Sequence, residues 1–256
     1  MRNTKRQRAA TKSRKAATAR ALVGLLATLL AGAAPAHPPA PYPHMAPVDT
    51  YLMDRDGEIA LARSAAPASI SRDATVLVLT RTGYETAFAG SNGFVCMVGR
   101  SFGGAPDWPE RWNPKVRAPE CLNPAAARSV APVARLRTAM TLAGRSDAEM
   151  LDRIEAALRS GEIPPLAPGA MSYMMSKDAY LQDEGNHAMA HLMFFIPVRD
   201  AAGWGANAPD GPVFGGNYWF FTPDHKADIA VLPPLSVFIV GVTHWSDGTS
   251  ATMHGM

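Results

Sequence analysis

Thr75-Val76-Leu77-Val78-Leu79-Thr80 is the stretch on which the fold turns. Its β-branched residues suit a strand, and its four central side chains are apolar on both sides of the pleat, where successive residues alternate. Such a strand belongs in the middle of a sheet covered on both faces. Outward from it, Thr82-Gly83 predicts a turn, Tyr84–Ala89 alternates, and Asn92-Gly93 turns into Phe94–Val98. Together these predict a three-stranded antiparallel meander.

Upstream, Asp49–Ala66 predicts a helix with Asp49 or Thr50 as its cap and Leu52, Ile59 and Ala62 on one face. Pro67 ends it, and Gly57 weakens it. Downstream, residues 101–123 are rich in Gly, Pro and Trp and predict a long loop, a kind of segment that often carries function. Asn123-Pro124 opens a helix that Pro132 interrupts or restarts before Gly144. Ser146 and Glu149 form a capping box, after which Met150, Leu151, Ile154, Ala157 and Leu158 recur at helical spacing up to Gly161.

Beyond the Pro-rich linker Ile163–Pro168, four stretches suit strands: Met171–Ser176, His191–Pro197, Tyr218–Thr222 and Leu235–Thr243. Leu192–Ile196 and Val237–Val242 are apolar on both pleat faces and predict central positions. The order of elements predicts an α+β fold. Its antiparallel sheet has the meander plus three or four later strands, packed with an N-terminal helix and two central helices. One domain, residues 49–256, is expected behind a Pro-rich extended leader at 37–48.

The first 36 residues read differently. Eight cations lie within the first twenty residues with no acid among them, and the uncharged, mostly apolar run Ala21–Ala34 follows. Ala34-Pro35-Ala36 then supplies an A-x-A site, so a secretory signal cleaved before His37 is expected. An apolar run of that length covers about 21 Å as a helix, short of the ~30 Å hydrocarbon core, which argues against a membrane anchor. No twin arginine precedes it, and no later stretch is apolar enough to span a bilayer.

Cleavage removes eight of the 25 Lys and Arg, so 17 face 22 Asp and Glu and the net charge becomes about −5. The basic balance therefore belongs to the signal, and no nucleic-acid partner is expected. Cys96 and Cys121 would lie in an oxidising compartment, periplasmic or extracellular, where a disulfide is the default. Free thiols or a metal pair are the alternatives, although no CxxC accompanies them.

Asp183-Glu184-Gly185-Asn186-His187-Ala188-Met189-Ala190-His191 places two histidines beside two carboxylates, the donors a divalent transition metal such as zinc or copper prefers. It lacks the glutamate of HExxH. In one straight strand His187 and His191 would stand about 13 Å apart, so chelation requires a turn, which Gly185-Asn186 suits. Asp183, and His225 or His244, are the candidate further ligands; the competing reading is a pair of loop histidines hydrogen-bonded to backbone or water. Copper has its own cue in an N-terminal His37 and in Met253-His254-Gly255-Met256, though the other methionines suit a core. Trp108, Trp112 and Trp219 are candidates to line a pocket, with core packing the simpler role for the Tyr218–Phe221 run. Ser176 precedes Lys177 directly and misses SxxK spacing, and there is no GxSxG elbow or Gly-rich phosphate loop.

YLMDRDGEIALARSAAPASISRDATVLVL (51–79), NGFVCMVGRSF (92–102), WNPKVRAPECLNPAAARS (112–129) and SYMMSKDAYL (172–181) resemble an uncharacterised family of exported bacterial proteins. The resemblance implies a stand-alone domain behind a signal peptide and brings no activity, ligand or catalytic residue. Three function classes remain: a binding protein for a small ligand or metal, a metal-dependent hydrolase using His187 and His191, and a structural or interaction protein. A binding protein is the expectation carried forward.

Overall fold

The computed structural model describes residues 41–184 and 189–251. The expected signal at 1–36, His37, the first part of the leader, His187 and Met253–Met256 lie outside them. Strand β1, Thr75–Thr80, has its four central residues buried. Leu77 and Leu79 enter one core, and Val76 enters another on the opposite face. The double cover expected of this strand is therefore present.

β1 turns through Arg81-Thr82 into β2, Gly83–Phe88, in antiparallel pairing. The next strand, β3 at Val95–Gly99, does not continue a meander. It pairs with the other edge of β1 and runs parallel to it, Thr75 opposite Val95 and Val76 opposite Cys96. The reason lies in where β2 ends: Phe88 stands opposite Val76, at the start of β1, so a short connection can pass around that end. Gly90 makes the passage. A Cβ there would sit 2.3 Å from the Asp73 carbonyl oxygen and from the Thr75 amide nitrogen, so no other residue fits so close to the backbone. The amides of Ser91 and Asn92 bond the same Asp73 carbonyl.

The upstream helix is shorter than expected. A 3-10 turn at Val48–Tyr51 precedes α1, Arg55–Arg63, whose cap is Asp54 accepting from the Gly57 amide. Leu52 lies before the helix, in extended backbone. A Cβ at position 57 would lie 2.5 Å from the Asp54 carboxylate, so Gly57 serves the cap. The short α2, Ala68–Ser71, follows Pro67. α1 packs on β1 and β3 over an alanine-rich core with Ala62, Ala65, Val76, Cys96 and Val98.

Within the expected 101–123 loop lies a further strand, β4 at Ala118–Leu122, antiparallel to β3. Cys96 and Cys121 stand opposite each other in that ladder and form a disulfide. Asn123 caps α3, Pro124–Ser129, and Pro132 restarts the chain as α4, Ala131–Leu142. The capping box of Ser146 and Glu149 opens α5, Asp147–Ser160, which ends at a left-handed Gly161. Helices α3 to α5 cover the face of the sheet opposite α1, around Met97, Leu122, Val133 and Ile154.

β5, Met171–Met174, and β6, His191–Ile196, continue antiparallel. The aromatic run Tyr218–Thr222 is not a strand. The strand is β7, Val213–Asn217, which includes Gly215 and Gly216. Gly215 is needed because a Cβ there would press within 2.8 Å of Ala206 and 3.0 Å of Ala201. A helix α6, Lys226–Val231, leads to β8, Ser236–Gly241, which inserts between β6 and β7. The sheet thus has eight strands in the order β2-β1-β3-β4-β5-β6-β8-β7, mostly antiparallel, in an α+β fold. The described residues group as one compact unit. No helix among the described residues is long and apolar enough to cross a membrane.

Glu58 and Arg100 close the gap where β1 and β3 part. β1 and β3 share only their first residues as partners, so the Leu79 amide has no strand to bond. The Glu58 carboxylate accepts it at 3.1 Å and accepts Arg100 Nη2 at 2.9 Å. Arg100 also donates to the Tyr51 and Val98 carbonyls, and the exposures of 0% and 1% mark the pair as fully buried. An ion pair this dry is tolerated because its hydrogen-bonding positions are used.

The disulfide closes a loop with a sequence separation of 25. Loop-closure entropy of that size is worth about 3 kcal/mol. Cys96→Ala with Cys121→Ala is expected to lower stability by about that amount in urea unfolding, and reductant to have no further effect on the variant.

Candidate functional site

The metal ligands expected from sequence do not assemble among the described residues, where no group of three or more His, Cys, Asp or Glu could hold an ion. Asp183 is committed to a polar cluster: it accepts from Lys115 at 2.8 Å, from Tyr42 at 2.5 Å, from Asn113 at 3.2 Å and from Tyr180. Lys115 and the two tyrosines hold its carboxyl well below the usual carboxylate range. His191, the first residue of β6, is buried, and its Nδ1 lies 2.6 Å from the Met189 carbonyl oxygen. Burial lowers its pKa. His225 sits at the start of α6, its ring tilted against that of Phe220 at 4.6 Å between centroids, with Nε2 3.7 Å from the Asp107 carboxylate.

The three tryptophans divide. Trp112 packs against the main core, with Arg111 over its ring at 4.7 Å and its carbonyl bonded by the Tyr51 hydroxyl. Trp219 is buried, donates to the Pro233 carbonyl, and lines an apolar cleft of about 170 Å³ walled by Pro164, Pro165, Pro197 and Pro233. Trp108 lines a larger cavity of about 400 Å³.

That larger cavity follows from the topology. β4 and β5 pair only at Cys121 opposite Tyr173 and Leu122 opposite Ser172. Beyond those pairs the strands diverge, meeting again only in the bridge between Arg117 and Tyr180. The β5 side detours because the Met175 amide bonds Ala65, at the end of α1. Pro119, which cannot donate to a ladder, sits in this half-open stretch. The gap is walled by α4 through Val133, Ala134, Arg137 and Thr138, by the loop through Gly104 and Trp108, and by Tyr218 and Phe221. Gly104 lets the Trp108 ring lie against the backbone, since a Cβ would meet it at 2.6 Å. A bidentate ion pair from Arg111 to Asp147 ties the loop to the first turn of α5.

Two charged side chains in the wall, Glu120 and Arg137, form no ion pair among the described residues. Glu120 is half-buried with its Oε1 shielded from solvent, and desolvation pushes its carboxyl up to about 7. Its Oε1 has no hydrogen-bond partner, and the Ser172 hydroxyl beside it closes no bond of ordinary geometry. Arg137 lies on α4 with its ring partner Phe221 at 4.8 Å, and its Nη2 donates to the Phe220 carbonyl at 2.8 Å and to Gly104. Its Nε has no partner, and burial lowers its pKa to about 10, which leaves it a cation at neutral pH. The rest of the polar lining is Tyr84, Thr138, Gln182, Tyr218 and Arg100, whose charge is already paired with Glu58; burial raises the pKa of both tyrosines. Tyr84 donates to the Val98 carbonyl at 2.7 Å.

Sequence reasoning pointed to Trp108 and to the run containing Tyr218, and missed Glu120 and Arg137. One signal for Arg137 was present: it stands four residues after Val133, a charge on the buried stripe of α4. Glu120 had none, lying between a proline and a cysteine in an assumed loop. No family model, curated protein or solved structure matches this chain.

Glu120 is raised above its unfolded value, so ionising it opposes folding: the protonated form's advantage is present at low pH and is lost as pH rises through about 7. Glu120→Gln removes this titration. Relative to the variant, the wild type is expected to lose about 3 kcal/mol of stability between pH ~4 and pH ~8, read from urea midpoints. Parallel pH profiles would contradict the burial of this carboxyl.

Proposed function

We propose that the chain is an exported protein that binds a small organic ligand in the cavity between β4, β5 and α4. The observation that carries this reading is the cavity wall. It is mostly apolar, about 400 Å³ in extent, and holds the charged groups of Arg137 and Glu120, each with a buried polar atom that no described residue satisfies. Buried polar groups are nearly always satisfied, and an apolar pocket whose wall holds unsatisfied ones is the default candidate for a binding site. Export is supported by the charge and A-x-A pattern of the first 36 residues, and the disulfide is compatible with an oxidising compartment. The hydrolase alternative needs His187, and neither Asp183 nor His191 lends it support, one being held by a cation and two tyrosines and the other by backbone.

Protein recovered from the extracytoplasmic fraction and extracted under denaturing conditions is expected to release an organic compound at near one equivalent, identified by mass spectrometry. Ala134→Phe, which places a ring in the cavity, is expected to be exported and folded and to release at least tenfold less. Equal release from the two proteins, or none from the wild type, would overturn the reading.

A further inference from the structure

We infer that the ligand is an organic monocarboxylate, with Arg137 binding its carboxylate and the apolar wall its body. This rests on the proposed cavity reading and adds the charge of the occupant. Arg137 is buried, lines the cavity, and spends Nη2 on the Gly104 and Phe220 carbonyls, which fix the guanidinium plane. Among the described residues no carboxylate pairs with it: Asp147 is bonded to Arg111, and Asp228 accepts from the Phe221 amide and the Thr222 hydroxyl. A cation held in place inside protein without a counter-ion is the element an anionic ligand supplies, and a guanidinium matches a planar carboxylate better than an ammonium does.

The other wall residues restrict the class. Glu120 lines the same cavity, so a ligand with a second negative charge meets repulsion that a monoanion minimises. Met97, Val116, Val133, Met174, Trp108 and Phe221 offer an apolar surface suited to a hydrocarbon or aryl body. Tyr218 lines the same cavity, and its hydroxyl offers a further hydrogen bond.

The test is calorimetric titration of the purified protein, freed of bound material by refolding, with four near-isosteric probes: phenylacetate, phenylacetamide, phenethylammonium and phenyl phosphate. Phenylacetate is expected to bind at least tenfold tighter than each of the others. Arg137→Gln is expected to bring phenylacetate down to the affinity of phenylacetamide while leaving the amide within about twofold of its wild-type value. Arg137→Lys keeps the charge without the planar fork and is expected to weaken phenylacetate about tenfold; it serves if the glutamine variant does not fold. An amide that binds as tightly as the acid, tighter binding of the ammonium or the phosphate, or an acid preference that survives loss of Arg137 would overturn the assignment and leave the cavity reading standing. Failure of all four probes would overturn it for small monocarboxylates, and the cavity reading then stands or falls with the release experiment.

Discussion

A buried ion pair sets the geometry on which the rest depends. Glu58 and Arg100 occupy the wedge where β1 and β3 part, and between them they bond an amide of β1, a carbonyl of β3 and the carbonyl of Tyr51. That fixes α1, from which Glu58 projects, and the point at which the chain leaves β3 for the loop carrying Gly104 and Trp108. The same α1 draws the chain after β5 away from β4 through the bond between Ala65 and Met175. One wall of the cavity and the split that opens it therefore trace to the position of one helix.

The cavity wall is expensive in the opposite sense. In the Glu58–Arg100 pair two charges are dry and satisfied; Glu120 and Arg137 each keep a buried polar atom without a partner. Leaving a buried polar group unsatisfied costs about 1–3 kcal/mol, more when it is charged. A fold stabilised by its disulfide and by a core on each face of its sheet can carry that cost, and local conflict of this kind is expected where a protein binds rather than where it only packs. The proline-lined cleft around Trp219 differs in kind, since its lining is apolar and the Trp219 indole is already bonded.

Elements set by neighbouring residues were legible in the sequence. Asn123-Pro124 and the Ser146–Glu149 box start helices because the capping atoms lie within three residues of the amides they satisfy. β1 was legible because its double-sided apolarity is a property of six consecutive residues. Elements set by distant partners were not. β4 reads as Ala-Pro-Glu-Cys-Leu and is a strand because β3 and the disulfide hold it there, while β7 holds two glycines and is a strand because it pairs with β8, Ala201 and Ala206 leaving no room for a side chain at Gly215. The parallel pairing of β3 hinged on Gly90, whose role appears only against the backbone it crosses. For the site, aromatic content led to Trp108, whereas Glu120 gained its meaning from a gap between strands that no local pattern encodes.

A crystal structure of the protein grown with 4-bromophenylacetate, read through the anomalous signal of bromine, tests the central claim most directly. The account predicts bromine among the apolar residues of the cavity beside Trp108, with the carboxylate on the guanidinium of Arg137. Bromine in the proline-lined cleft or on the surface, with no density for the acid at Arg137, would contradict it.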